Sequence, residues 1–250
     1  MIQTLKDKSK LLILRIFTAL ARDMNVLAQA GPSLVIAPHP DDESLGCGGV
    51  IARLRKAGRD IRILVVTDGS ASGKSAVISA EQIVAERRAE TESAVFALGV
   101  TRENLVFLNF RDQHSHEQPD ALDAALSDQL REYSPRQIFS PYAVDRHPDH
   151  RAIAASVDRL CHAGVIACPV YEYPIWYWSY TAIRELLNPA TFMRLRRVAI
   201  GEFLKPKQTA VAAHKSQYEA PTNEEGWFTF PSGFLPLFFT PYEIFFEKRR

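Results

Sequence analysis

Cysteine is scarce in this 250-residue chain, and Cys47, Cys161 and Cys168 form an odd set without CxxC spacing. That excludes a disulfide framework and a cysteine-based zinc knot, and it points to a reducing, cytoplasmic setting. Excess charge is missing too, the net value being +1. A chain so close to neutral has no bulk attraction for nucleic acid or for an anionic membrane. No uninterrupted apolar run approaches the ~20 residues of a transmembrane helix. Several signatures are absent. There is no GxSxG elbow and no cysteine with a convincing histidine partner, which removes the common acyl-enzyme chemistries. Gly69 and Gly73 in DGSASGK stand too close together for a phosphate-binding loop. Gly46-Cys47-Gly48-Gly49 has Ile51 where a dinucleotide fingerprint needs its last glycine, so these glycines are read as allowing close helix–sheet approach. No internal repeat or low-complexity tract is present.

What the chain does carry is alternation. Short apolar runs at Leu34–Ala37, Ile61–Thr67, Leu105–Leu108, Gln137–Ser140 and Pro169–Tyr173 read as buried strands. Between them lie helical patterns ending at Gly58 and Gly99, then Ala121–Tyr133 and the segment after His147. Continuous apolar strands alternating with helices predict an α/β fold, a Rossmann-like and mostly parallel sheet covered on both faces, in a single domain. Residues 1–30 are separated as an N-terminal amphipathic helical extension, leaving 31–250 as the main domain. The extension is basic and then apolar, as a signal peptide is, but Arg15 splits the apolar stretch and Arg22-Asp23 follows it. A helix packed on the body is the expectation, with attachment to a membrane surface as the alternative. Beyond about residue 174 the pattern loosens into aromatic and proline-rich segments, read either as core or as walls of a cleft. Lys205–Tyr218 reads as a helix with His214, Ser216 and Gln217 near its end.

Two junctions concentrate the chemistry. The first apolar run meets Pro38-His39-Pro40-Asp41-Asp42-Glu43, a stiff turn presenting an imidazole and three consecutive carboxylates. Capping of the next helix is one account of the acids. A shared divalent cation is the other, because so much like charge at the end of a buried strand is costly alone. A second His-Pro-Asp tripeptide, His147-Pro148-Asp149 followed by His150, stands at another strand-to-helix junction. By the predicted fold both lie beyond the carboxyl ends of parallel strands, where such sheets bind ligands.

HPDDE and HPDH together resemble the PIG-L/LmbE family of metal-dependent N-deacetylases over roughly Ser33 to Tyr218. The resemblance implies an LmbE-like fold and a hydrolase that removes the acetyl group of an N-acetylglucosamine-type sugar with metal-activated water. It implies His39, Asp42 and His150 as metal ligands, a set that suits zinc and also fits iron(II). It implies Asp41 as general base, His147 as a cationic donor to the oxyanion, and Glu43 and Asp149 as supporting or capping groups. Arg87, in Arg87-Arg88-Ala89-Glu90, matches an arginine that relatives aim at the sugar, although a solvated helix face explains it equally well. Asp112 matches a carboxylate that holds sugar hydroxyls, and His214 is carried over as a substrate-binding residue. Where some relatives have a tyrosine two residues ahead of His147, this chain has Asp145, so a tyrosine-assisted step would need Tyr142 or a C-terminal tyrosine. The implied partner is a small-molecule or glycolipid N-acetyl sugar, with no nucleic acid and no membrane contact expected. An amidase or esterase for another acyl group is the alternative enzyme. A non-catalytic glycan-binding relative would be expected to have lost Asp41 or a ligand, and none is lost.

Overall fold

The structure, a computed structural model, describes residues 2–73, 77–180, 188–219 and 227–248. Met1 and Lys74, which belong to segments read above, lie outside these residues. Eight strands form one sheet: β1 (Arg22–Asp23), β2 (Ser33–Ala37), β3 (Ile61–Thr67), β4 (Leu105–Phe110), β5 (Gln137–Pro141), β6 (Val170–Tyr173), β7 (Leu195–Ala199) and β8 (Tyr242–Glu247). Their order is β1-β7-β8-β6-β5-β2-β3-β4, parallel throughout except that β8 runs antiparallel between β6 and β7. This is the single mostly parallel α/β domain expected from the alternating pattern.

The sheet is covered on both sides because its strands are apolar on both faces. Leu34 and Ile36 of β2, with Leu64 and Val66 of β3, pack under α4 (Pro119–Tyr133) and α5 (Pro148–His162) through Leu122, Leu126, Ile153 and Val157. The alternate residues Val35, Ala37, Ile63 and Val65 face the other way. There they meet α2 (Asp42–Lys56), α3 (Ala80–Ala97), the N-terminal α1 (Ile2–Leu20) and α6 (Leu204–Ala213). α1 contributes Leu14 and Phe17, and Phe17 sits edge-on to Trp178 at 5.3 Å. Among the described residues no helix is long and apolar enough to cross a membrane.

All five apolar runs form strands. β1, β7 and β8 were not expected. β1 is two residues long, β7 carries Arg196 and Arg197, and β8 lies inside the aromatic tract. Arg197 pairs with Asp23 at 2.7 Å and lies over the Tyr242 ring, so a charged segment is held in place by partners remote in sequence.

Sequence order reverses beside β2. The chain steps outward from β2 to β3 and β4, then returns to β5 and β6 on the other side. The carboxyl ends of β2 and β5 therefore flank a topological switch point, the usual ligand crevice of open α/β sheets.

The glycines of α2 bring that helix close. A Cβ at Gly46 would lie 2.3 Å from the Tyr173 ring, and one at Gly49 would lie 2.6 Å from Ile200. Tyr173 is fully buried and its hydroxyl donates to Ile36 O at 2.7 Å, so the ring has little room to yield. Glu243 of β8 anchors the same stretch. It accepts the Gly49 and Val50 N–H groups at 2.8 Å each and pairs with buried Lys207 at 2.7 Å. Gly46→Ala is accordingly expected to destabilise the protein by about 1–3 kcal/mol, as overpacking does. A urea midpoint equal to that of the wild type would mean that helix and sheet have slack here.

Candidate active site

Two stiff turns build the site. After β2, Pro38 and Pro40 bracket His39, and α2 begins at Asp42. Asp41 stands before it at φ 137°, ψ −28°, a conformation that costs an L-residue of order 1–3 kcal/mol and is kept only where surroundings enforce it. Its carboxylate makes no cap hydrogen bond. Capping therefore does not account for Asp41. Its Oδ2 faces Arg87 Nη2 at 3.0 Å, while its N–H donates to Glu43 Oε2 at 3.0 Å. Asp42 folds back on the turn, Oδ2 accepting the His39 N–H at 3.0 Å. After β5, His147 caps α5, its Nδ1 accepting the Asp149 N–H at 3.3 Å, and His150 is fully buried in the first turn.

These turns bring three atoms together. Asp42 Oδ2 lies 3.2 Å from His39 Nδ1 and 3.1 Å from His150 Nε2, and the two ring nitrogens are 3.3 Å apart. A tetrahedral ion bound at about 2.0–2.1 Å needs its ligand atoms about 3.3 Å from one another. The donor set, two imidazoles and one carboxylate, is one that zinc and iron(II) accept. The remaining ring nitrogens turn to carboxylates, as they do in ligating histidines. His39 Nε2 is 3.1 Å from Asp149 Oδ2 and 3.2 Å from Asp112 Oδ1, and His150 Nδ1 is 3.5 Å from Asp145 Oδ2. His39 also shares wider groupings with His147 and His150, and with Asp112 and Asp149. The latter lie at its Nε2, away from the Asp42 pole.

The carboxylates are themselves fixed. Asp149 accepts the N–H and hydroxyl of Ser115 and the N–H of Gln113, at 3.1, 2.6 and 2.8 Å. Asp145 accepts the N–H groups of His147, Ile175 and Trp176. Asp41, Asp42, Glu43, Asp112, Asp145 and Asp149 are all buried, and among the described residues Arg87 is the buried arginine bonded to one of them. A divalent cation balances that density better than hydrogen bonding alone.

Titration follows position. Burial pushes the Asp41 carboxyl up to about 7, against the pull of Arg87. Burial would raise Asp42 too, but His150 and His39 hold it far below the carboxylate range. Burial lowers His150, yet Asp42 and Asp145 outweigh it and raise the ring to about 9. His147 goes the other way, pushed down to about 4 by burial and by His39 and His150. Burial and the two neighbouring rings thus oppose the cationic form expected of His147. With Nδ1 accepting the Asp149 N–H, a neutral ring would carry its proton on Nε2 and keep a donor there.

An open cleft of about 150 Å³ is lined by His39, Asp41, Asp42, Arg87, Asp112 and His147. Arg87 is not on a solvated face. It is buried, bonded to Asp41, Ser72 Oγ and Pro40 O. Asp112 Oδ2 accepts the Ala71 N–H at 3.1 Å. His214 is the residue that the structure keeps away. It is fully buried behind Glu43, Nε2 to Oε1 at 3.1 Å, and is not in the cleft lining, because the end of α6 packs against α2 and α3. Tyr142 does not stand in for the missing tyrosine, being stacked on Phe246 in the core at 4.0 Å. Of the aromatic residues weighed as walls, Trp176, Phe228 and Phe230 line the cleft. Trp178 is core, and Trp227 packs on Gly73 and donates to Ser216 O at 2.8 Å. Sequence reasoning passed over Asp145 except as a departure, and it missed Ser115 and Gln113 as supports of Asp149. An acid two residues before HPDH was the available signal for the first.

Comparison with known proteins agrees with this geometry. The family model described as PIG-L, GlcNAc-PI de-N-acetylase, matches residues 34–161. A probable N-acetyl-alpha-D-glucosaminyl L-malate deacetylase 2 of Bacillus cereus is 30% identical over 194 residues, 75% of this chain and 84% of the relative. A diacetylchitobiose deacetylase of Thermococcus kodakarensis is 30% identical over 198 residues, 74% of this chain and 69% of the relative. The crystal structure of a conserved protein from Thermus thermophilus superposes with a TM-score of 0.57 at 30% identity, covering 74% of this chain and 79% of that one. Both HPDDE and HPDH fall inside the matched 34–161 span, on the two turns at the sheet's switch point, and the chain belongs to the PIG-L family of de-N-acetylases.

Proposed function

We propose that the protein removes the acetyl group from an N-acetylglucosamine-type sugar within a glycoconjugate, using one divalent metal ion, zinc by preference. The observation that carries this reading is the convergence of His39 Nδ1, Asp42 Oδ2 and His150 Nε2 at tetrahedral spacing beside Asp41. The relatives' names supply the sugar: one acts on an N-acetylglucosaminyl malate and another on diacetylchitobiose.

His39, Asp42 and His150 would hold the ion, which when bound supplies Lewis-acid polarisation and a lowered water pKa. The chain's own groups account for the proton traffic. Asp41, raised to about 7, is matched to taking a proton from the attacking water near neutrality. It returns that proton to the amine nitrogen as the C–N bond breaks, so acetate and a free amine leave. Arg87 fixes the Asp41 carboxylate and favours its charged form. His147 donates its Nε2–H to the carbonyl oxygen as negative charge grows there. Asp149 and Asp145 hold the ligand rings in their tautomers.

Acetate release from N-acetylglucosaminyl compounds, abolished by a chelator and restored by a divalent ion, is the expected result. Hydrolysis of other N-acyl amides with no acetate from any acetylated sugar would replace this reading with the general amidase.

Trp176, Phe228 and Phe230 extend the cleft beyond what an acetamide needs, and flat apolar walls favour sugar faces and apolar aglycones. Trp176→Ala is expected to lower kcat/KM about tenfold for a β-linked aryl or disaccharide substrate, with much less effect on free N-acetylglucosamine. Equal losses on both substrates would show that the ring acts through structure alone.

A further inference from the structure

α1 has two apolar faces, and the body covers only one. Leu14 and Phe17, with Ala21 just past the helix, are buried in the core. Leu12, Ile16 and Leu20 are exposed by 59%, 47% and 55%. Their i, i+4, i+8 spacing makes them one continuous stripe on a helix. Packing on the body therefore accounts for Leu11, Ile13, Leu14 and Phe17 and leaves Leu12, Ile16 and Leu20 in water. Lys8 and Arg15 are exposed on this helix, beside the stripe by helical spacing. Asp23, the acid just past the helix, is already paired with Arg197 at 2.7 Å. Met193, exposed by 60%, follows Phe192, whose ring packs on Phe17 at 5.3 Å. It adds apolar surface close to the helix.

We propose that this face docks the protein on an anionic lipid surface. α1 would lie in the interfacial plane with Leu12, Ile16 and Leu20 at the acyl boundary and Lys8 and Arg15 against headgroup phosphates. The same helix does not qualify as a span. A second copy of the chain is the less suitable occupant. Isologous antiparallel pairing centred on Ile16 would bring Arg15 toward its own counterpart, and like charges across an interface are unfavourable. Inside the molecule, Phe17 on the packed face of α1 touches Trp178, two residues from Trp176 in the cleft wall. A docked α1 would thus hold the cleft's aromatic side near the lipid. This inference stands on surface chemistry and is independent of the reaction.

The test is co-sedimentation of the full chain with phosphatidylcholine vesicles and with phosphatidylcholine–phosphatidylglycerol vesicles. The wild type is expected to partition onto the anionic vesicles and to be released at high salt. Leu12→Gln with Ile16→Gln, and separately Lys8→Gln with Arg15→Gln, should each lower the partition coefficient by about tenfold. All four positions are exposed, so the variants should melt as the wild type does. Absence of wild-type binding to anionic vesicles would overturn the proposal, as would binding unchanged in the Leu12/Ile16 variant. Sedimentation velocity supplies the other occupant. Self-association that Ile16→Gln abolishes, without vesicle binding, would identify a second copy and also overturn it.

Discussion

His150→Ala should yield a folded protein that has lost both its divalent ion and its deacetylase activity. Wild-type protein is expected to carry about one ion per chain, and the variant almost none. Activity should fall on the order of 10³-fold or more, since the ion that His39, Asp42 and His150 would hold would supply both charge stabilisation and a lowered water pKa. Survival of the fold follows from the rest of α5. Ile153, Val157 and Leu160 keep their packing under the sheet, and Asp145 keeps three backbone donors after losing the imidazole. The loss of stability should be about 3–5 kcal/mol, the usual effect of removing one partner from a buried charged group. An unfolded variant would lose metal trivially, so Asp149→Asn is the companion. It leaves all three ligand atoms in place and weakens the orientation of His39 together with the Gln113 N–H contact on the same oxygen; a 10–100-fold loss of metal affinity is typical of such a change. Elemental analysis and thermal melting measure both. Full occupancy in a folded His150→Ala protein would remove His150 from the ligand set.

Most of the sheet was legible in the sequence because its central strands are local signals. β2, β3 and β5 are short apolar runs ending at prolines or polar loops, and each continues into a helix with its own periodicity. The two histidine turns were legible for a related reason. His39 and Asp42 are three residues apart in one stiff loop, as are His147 and His150 in the other, so each half of the site is written contiguously. Joining the halves needed the strand order, which apolar runs do not specify. β7 and β8 lay beyond local reasoning, because Arg196 and Arg197 are tolerated in a strand only through Glu247, Asp23 and Tyr242. His214 was misplaced for the same cause. Its family pattern is local, but its partner is Glu43, 171 positions away.

Asp41→Asn is the substitution that separates chemistry from metal binding. The replacement is nearly isosteric, and asparagine tolerates positive φ better than most residues, so the turn at φ 137° should survive. The amide oxygen still faces Arg87, which also keeps Pro40 O and Ser72. His39 Nδ1, Asp42 Oδ2 and His150 Nε2 are untouched, so the ion should stay. What disappears is the acceptor for the water's proton, and the rate should fall by roughly 10²–10⁴-fold with KM little changed. Stability gives an independent readout. Asp41 has its carboxyl raised to about 7 by burial, so its ionised form is disfavoured in the folded chain relative to the unfolded one. That opposition begins as pH rises past the unfolded carboxyl pKa and is complete above the folded one, so asparagine should melt no lower than the wild type at pH 7 or above. A slow, metal-replete variant of undiminished stability is the expected outcome. If Asp41→Asn instead loses its metal while Asp42→Asn retains it, the two neighbouring carboxylates exchange roles, and Asp42 becomes the base.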